Sequence, residues 1–151
     1  MFIRRLVLVS GTVVMAAAVV MPSAFAAPAT RHKHIHFTDT IVGAGISANR
    51  SVFSIHDSIH GNGAGTQTVT PSGSGGSDTE IIYYGNATAS SRGTFTVGIP
   101  DANGIAPLSG SGHDVSGTGK LRHLSSSYTY TGTINTKTGV FRITLRGTES
   151  F

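Results

Sequence analysis

The sequence predicts an all-β domain of about eight antiparallel strands, closed as a barrel or a sandwich. Three observations carry this. Apolar and polar residues alternate with period two through most of the chain, the pattern of a pleated surface with one buried and one wet face. Clusters of Gly, Ser, Asn and Asp interrupt the alternation at short, even intervals, as turns do. Helix formers such as Leu, Glu and Lys are scarce, and no stretch carries an i, i+3, i+4, i+7 apolar stripe.

The first 26 of the 151 residues stand apart. Arg4 and Arg5 precede an apolar run from Leu6 to Met21, followed by Pro22 and the small-residue site Ala24-Phe25-Ala26. This is the three-part pattern of a secretory signal, cleaved after Ala26 or Ala27, and it predicts a secreted protein. The run is 16 residues long, short of the ~20 that a spanning helix needs. No later segment is long and apolar enough to span a bilayer, so no membrane association is expected after cleavage. Cleavage leaves 125 residues, enough for one domain with a sizeable core. The cysteine count is zero, so neither disulfides nor a cysteine-linked lipid anchor are expected. With Arg4 and Arg5 gone, nine Lys/Arg face seven Asp/Glu. That small, scattered positive balance gives no reason to expect nucleic acid.

Residues 27–34 read as a flexible lead-in and residues 35–151 as the β domain. Strands are expected over 35–42, 51–60, 65–70, 79–85, 92–99, 104–110, 121–133 and 139–148. In the first, Ile35, Phe37, Asp39 and Ile41 share a face. In the second, Phe53, Ile55, Asp57 and Ile59 do, with His56 and His60 opposite. Phe95, Val97 and Ile99 share a face, as do Tyr128, Tyr130 and Ile134, and Phe141, Ile143 and Leu145. Val, Ile, Thr, Tyr and Phe dominate these runs, as half-buried pleated surfaces favour. The intervening punctuation is glycine-rich: Gly61-Asn62-Gly63, residues 72–77, residues 101–104, residues 110–112 and residues 117–119. Closure of the sheet would remove exposed edges, a hazard for a chain rich in β-formers and poor in charge.

Three stretches carry a family resemblance. They are His34-Ile35-His36-Phe37-Thr38-Asp39, the run from Val52 to Ala64, and Ser116-Gly117-Thr118-Gly119-Lys120-Leu121-Arg122-His123 with the tyrosine strand that follows. The first and third resemble the opening strand and the late glycine motif of the allene oxide cyclase and dirigent barrels. The second is similar to small exported bacterial proteins of unknown role. The resemblance implies an eight-stranded antiparallel calycin-like barrel with a mouth and an apolar cavity, often assembled as a trimer. It implies cyclase, isomerase or dirigent-like chemistry without metal or other cofactor. Asp39 matches the Asp of the opening strand, and Arg122 the basic residue after the glycine motif. Leu121 departs from the usual aromatic, and residues 125–127 depart from the family's run.

Asp39 and Asp57 are the sharpest candidates, because each lies on the apolar face of its strand. A carboxylate facing an interior is costly unless it is paired or reached by water, and burial suits it to acid–base work. The competing reading places one or both near a rim, or makes them structural caps bonded to backbone N–H groups or an arginine. Together with Arg122, which would orient an oxygen, they form the catalytic candidate set. Tyr83, Tyr84, Tyr128 and Tyr130 are candidates to stack on or hydrogen-bond a planar ligand, or else are plain core. His32, His34 and His36 alternate at a spacing that suits zinc or copper, but no carboxylate or cysteine completes the set, so no metal site is expected. Gly61-Asn62-Gly63-Ala64-Gly65 reads as a hairpin rather than a phosphate loop, since no helix follows. Asn49-Arg50-Ser51 and Asn86-Ala87-Thr88 are glycosylation sequons.

Two functional readings follow. In the first, a secreted barrel binds a small apolar or aromatic molecule, with or without turnover. In the second, a filled barrel serves as a non-enzymatic structural or surface-interaction module. An open, lined cavity favours the first and a packed interior the second.

Overall fold

The computed structural model describes residues 33–151. The segment 1–26 read as an export signal, and the lead-in through His32, lie outside the described residues. Eight strands follow in order: β1 (Ile35–Ser47), β2 (Arg50–Asp57), β3 (Gly61–Ser72), β4 (Gly75–Tyr84), β5 (Ala87–Val97), β6 (Ile105–Gly117), β7 (Ser125–Asn135) and β8 (Val140–Ser150). Each strand pairs antiparallel with the next, and β8 pairs back onto β1 to close the barrel. Closure satisfies the backbone of every strand and leaves no open edge.

Period-two alternation sets what faces inward. Phe37 and Ile41 of β1, Phe53 and Ile55 of β2, Ile82 and Tyr84 of β4, Ala87 and Ala89 of β5, Tyr130 of β7, and Phe141, Ile143 and Leu145 of β8 form one buried cluster. The opposite face is mostly Thr and Ser. One hydroxyl row runs Thr40, Thr144, Thr131, Ser109, Thr96 across five strands in register.

The strands are longer than the alternation alone predicts, and three differences have clear causes. Gly110 and Gly112 are not turn residues. They lie within β6, opposite Tyr130 and Tyr128. A Cβ at Gly112 would stand 2.6 Å from the Tyr128 ring, and one at Gly110 would collide with Tyr130. These glycines make room for aromatic rings in a narrow barrel. The strand expected from residue 121 begins instead at Ser125. Gly119, at φ +57°, opens a 3₁₀ turn (Gly119–Leu121) that sinks Leu121 fully into the core. Finally, β5 ends at Val97, and Ile99 lies beyond it, 92% exposed, in the connection to β6.

Candidate functional site

The interior has two chemically different ends. One end carries the β2–β3 and β4–β5 turns and the 3₁₀ segment. The other carries the β1–β2 and β7–β8 turns. Each holds a cavity, and the two share no lining residue.

The first cavity, about 40 Å³, is lined with acids: Asp39, Asp57, Glu80, Asp114 and Glu149, with His60, Tyr84 and Ser126 among the other polar groups. That volume admits only two or three water-sized molecules. The turn after β2 is built on two of these carboxylates. Asp57 Oδ1 accepts the backbone N–H groups of Ile59 and His60, both at 2.7 Å, and its Oδ2 accepts the Tyr84 hydroxyl at 2.8 Å. Asp39 Oδ1 accepts the Ser58 N–H at 2.8 Å and the Ser58 hydroxyl at 3.1 Å. Backbone bonding of this kind is the structural role weighed above for both aspartates.

His60 departs from the alternation of β2. The strand stops at Asp57, and the turn, closed by Gly61 at φ +86°, swings the imidazole inward. Its Nε2 lies 3.2 Å from Glu149 Oε2, and its ring packs on Tyr84 and Phe151. His56, on the strand proper, stays on the outer face beside Asn62. On β7, opposite Glu149 in register, the Ser126 hydroxyl donates to Asp114 at 2.5 Å.

The second cavity, about 240 Å³, has a largely apolar wall: Val69, Phe95, Leu108, Tyr130, Ile134, Phe141 and Ile143. Its polar lining comes from Gln67, from the β1–β2 turn, and from Arg50 and Ser51 at the start of β2. Gln67 joins the two ends. Its Nε2 donates to Glu80 Oε1 at 3.1 Å and to Asp78 Oδ2 at 3.3 Å, while Ser91 donates to Glu80 Oε2 at 3.1 Å.

The charge distribution is one-sided. Of the seven carboxylates in the chain, five are buried and Asp114 is half-buried against the acid cavity. Asp101, in the β5–β6 connection, is exposed. Every described lysine and arginine is exposed. The small net charge of the sequence therefore hides a basic exterior around an acidic interior.

Burial raises the carboxyls of Asp39, Asp78, Asp114 and Glu149 above their ordinary range, against the lowering effect of the hydrogen bonds or the histidine beside them. Burial, reinforced by the neighbouring Asp78 charge, pushes Glu80 up to about 7. The same desolvation raises the Tyr84, Tyr128 and Tyr130 hydroxyls, which remain neutral donors. Two buried oxygens, Asp78 Oδ1 and Glu149 Oε1, have no hydrogen-bond partner among the described residues. Protonation relieves the cost of burying such carboxyls as anions.

The candidate residues read from the sequence divide accordingly. Asp39, Asp57, Tyr84 and Tyr128 line the acid cavity, and Tyr130 lines the apolar one. Tyr83 is 50% exposed on the outer face, because neighbours along a strand cannot both point inward. Arg122 follows the 3₁₀ turn on the exterior and lines neither cavity. His34 and His36 are exposed, and among the described residues no three His, Cys, Asp or Glu side chains form a group able to hold a metal ion. Asn49 and Asn86 are exposed in the β1–β2 and β4–β5 turns. The sequence reading missed Asp78, Glu80, Asp114, Glu149, His60 and Gln67.

No protein-family model matches the chain, nor does any curated protein or solved structure.

Proposed function

We propose that this barrel is a carrier for one small, ring-bearing apolar molecule, held in the 240 Å³ cavity among Phe95, Leu108, Tyr130, Ile134 and Phe141. The cavity is the observation that carries the reading. It exceeds the ~150 Å³ apolar void that accommodates benzene, and its aromatic and branched walls suit a planar guest. The eight-stranded up-and-down course supports placing the protein beside the calycin-like barrels. The arginine-led apolar segment at residues 1–26 supports export, so the guest would be met outside the cytoplasm.

The reading is retention rather than turnover. Asp39 and Asp57 are committed to the β2–β3 turn, Arg122 is on the exterior, and the cavity that fits a ring shares no residue with the one lined by carboxylates. A cyclase or dirigent-like step on a guest in the apolar cavity would lack these three groups.

Titration of the purified protein with an environment-sensitive apolar dye tests this. Saturable one-to-one binding is expected, and Leu108→Trp, which fills the cavity, should abolish it while the β circular dichroism persists. Absence of saturable binding by the folded protein would overturn the reading in favour of a filled structural module.

A further inference from the structure

Gln67 belongs to both ends of the barrel. It lines the apolar cavity, yet both hydrogens of its amide are directed to the carboxylates behind it, Glu80 and Asp78. Two acceptor carboxylates fix which way the amide faces. Its Nε2 is taken, so the polar atom that Gln67 retains for a guest is its carbonyl oxygen. We propose that Gln67 selects a ring carrying an N–H or O–H donor over the same ring without one, and that the protonation state of Glu80 sets this selectivity across the Gln67 bridge. This rests on the apolar cavity being a binding site.

The linkage follows from hydrogen-bond bookkeeping. An ionised Glu80 only accepts, which holds the Gln67 amide nitrogen toward it. A protonated Glu80 acquires a donor that needs an acceptor. Ser91 already donates to Oε2, and the acceptors beside Glu80 are Asp78, whose Oδ1 has no hydrogen-bond partner among the described residues, and the Gln67 amide. Asp78 lies on its own strand, Gln67 on β3, Ser91 on β5, Asp114 on β6, and Tyr128 and Tyr130 on β7. Asp39, Asp57, His60, Tyr84 and Glu149 complete the titratable lining of the acid cavity that Glu80 shares. The bonds at 3.1 and 3.3 Å are both preserved if Asp78 is protonated too and the Gln67 amide turns over, its oxygen accepting from both carboxyls. The amide nitrogen then faces the guest, and a guest donor has no acceptor to meet. Burial raises both carboxyls, Glu80 to about 7, so the exchange belongs to the acid side of neutrality.

Indole and indene test the proposal, since they share a shape and differ by one N–H donor. Calorimetric or NMR titration of the full chain at pH 5.5 and pH 8.5 should show indole binding about fivefold tighter at the higher pH, the worth of one hydrogen bond, with indene unchanged. Gln67→Met should bind both rings alike at both pH values, and Glu80→Gln should remove the pH dependence while binding persists. Indole and indene binding alike and independently of pH in the natural protein would overturn the coupling and leave the carrier reading intact. Neither ring binding at either pH would overturn both.

Discussion

The two ends of the barrel are built from the same strands and differ in how their polar groups are used. At the acid end, carboxylates occupy inward positions and brace a turn: Asp39 and Asp57 between them hold the amides of Ser58, Ile59 and His60. At the apolar end, inward positions carry Phe95, Leu108, Ile134 and Phe141, which leave a larger void. An inward carboxylate is therefore a poor guide to where the open space lies in this fold. Here the acids mark the tightly filled end, and the space lies at the other.

The largest effect expected from breaking this contrast is at Asp57. Asp57→Leu should destabilise the fold by about 4 kcal/mol in urea unfolding, since it strands two amides and the buried Tyr84 hydroxyl. A rise in stability would instead mark Asp57 as a strained functional acid.

The next effect is on pH dependence. Carboxyls whose folded values are raised contribute their full stability below their unfolded values. They lose it as pH climbs through the folded ones. Asp39, Asp78, Asp114 and Glu149 act in this direction, and for Glu80 the window runs from 4.5 to about 7. Melting temperature should be highest in acid and fall toward pH 8, where ionised Glu80 alone costs about 3 kcal/mol. Glu80→Gln should recover most of that at pH 8 and leave stability at pH 4 nearly unchanged. A melting profile that rises from pH 4 to pH 8 would contradict the assignment.

A smaller loss is expected at Gly112, where a side chain meets the Tyr128 ring. Gly112→Val should lower stability by about 2 kcal/mol, read from the denaturation midpoint. The smallest effect is at Arg122. Arg122→Ala should change neither stability, by more than about 0.5 kcal/mol, nor dye affinity, because the residue is outside both cavities.

Much of the fold was legible because alternation is a local property. Phe37, Asp39 and Ile41, or Phe141, Ile143 and Leu145, reveal their common face without reference to any partner strand. The same rule, continued, would have found Asp78 and Glu80 four and two residues before Ile82, on the face it shares with Tyr84, and Glu149 on the face of Leu145. It would also have placed Tyr83 outside. His60 was not legible this way, since a turn ended the strand before it. Nor were Gly110 and Gly112: they read as turn residues until the register sets them against Tyr130 and Tyr128. The separation of the two cavities depends on closure of the barrel, which no single segment encodes. The family resemblance drew attention to Arg122 and Asp39 as a pair, and the three-dimensional arrangement leaves only Asp39 inside.

The most direct test of the central claim is to locate a bound ring by isotope-filtered NOE spectroscopy on methyl-labelled protein with indole. Contacts are expected from the ring to the methyls of Val69, Leu108, Ile134 and Ile143, at the apolar end. Contacts instead to Ile55, Ile82 and Leu145, which line the acid cavity, would contradict that claim and return the carboxylates to the centre of the function.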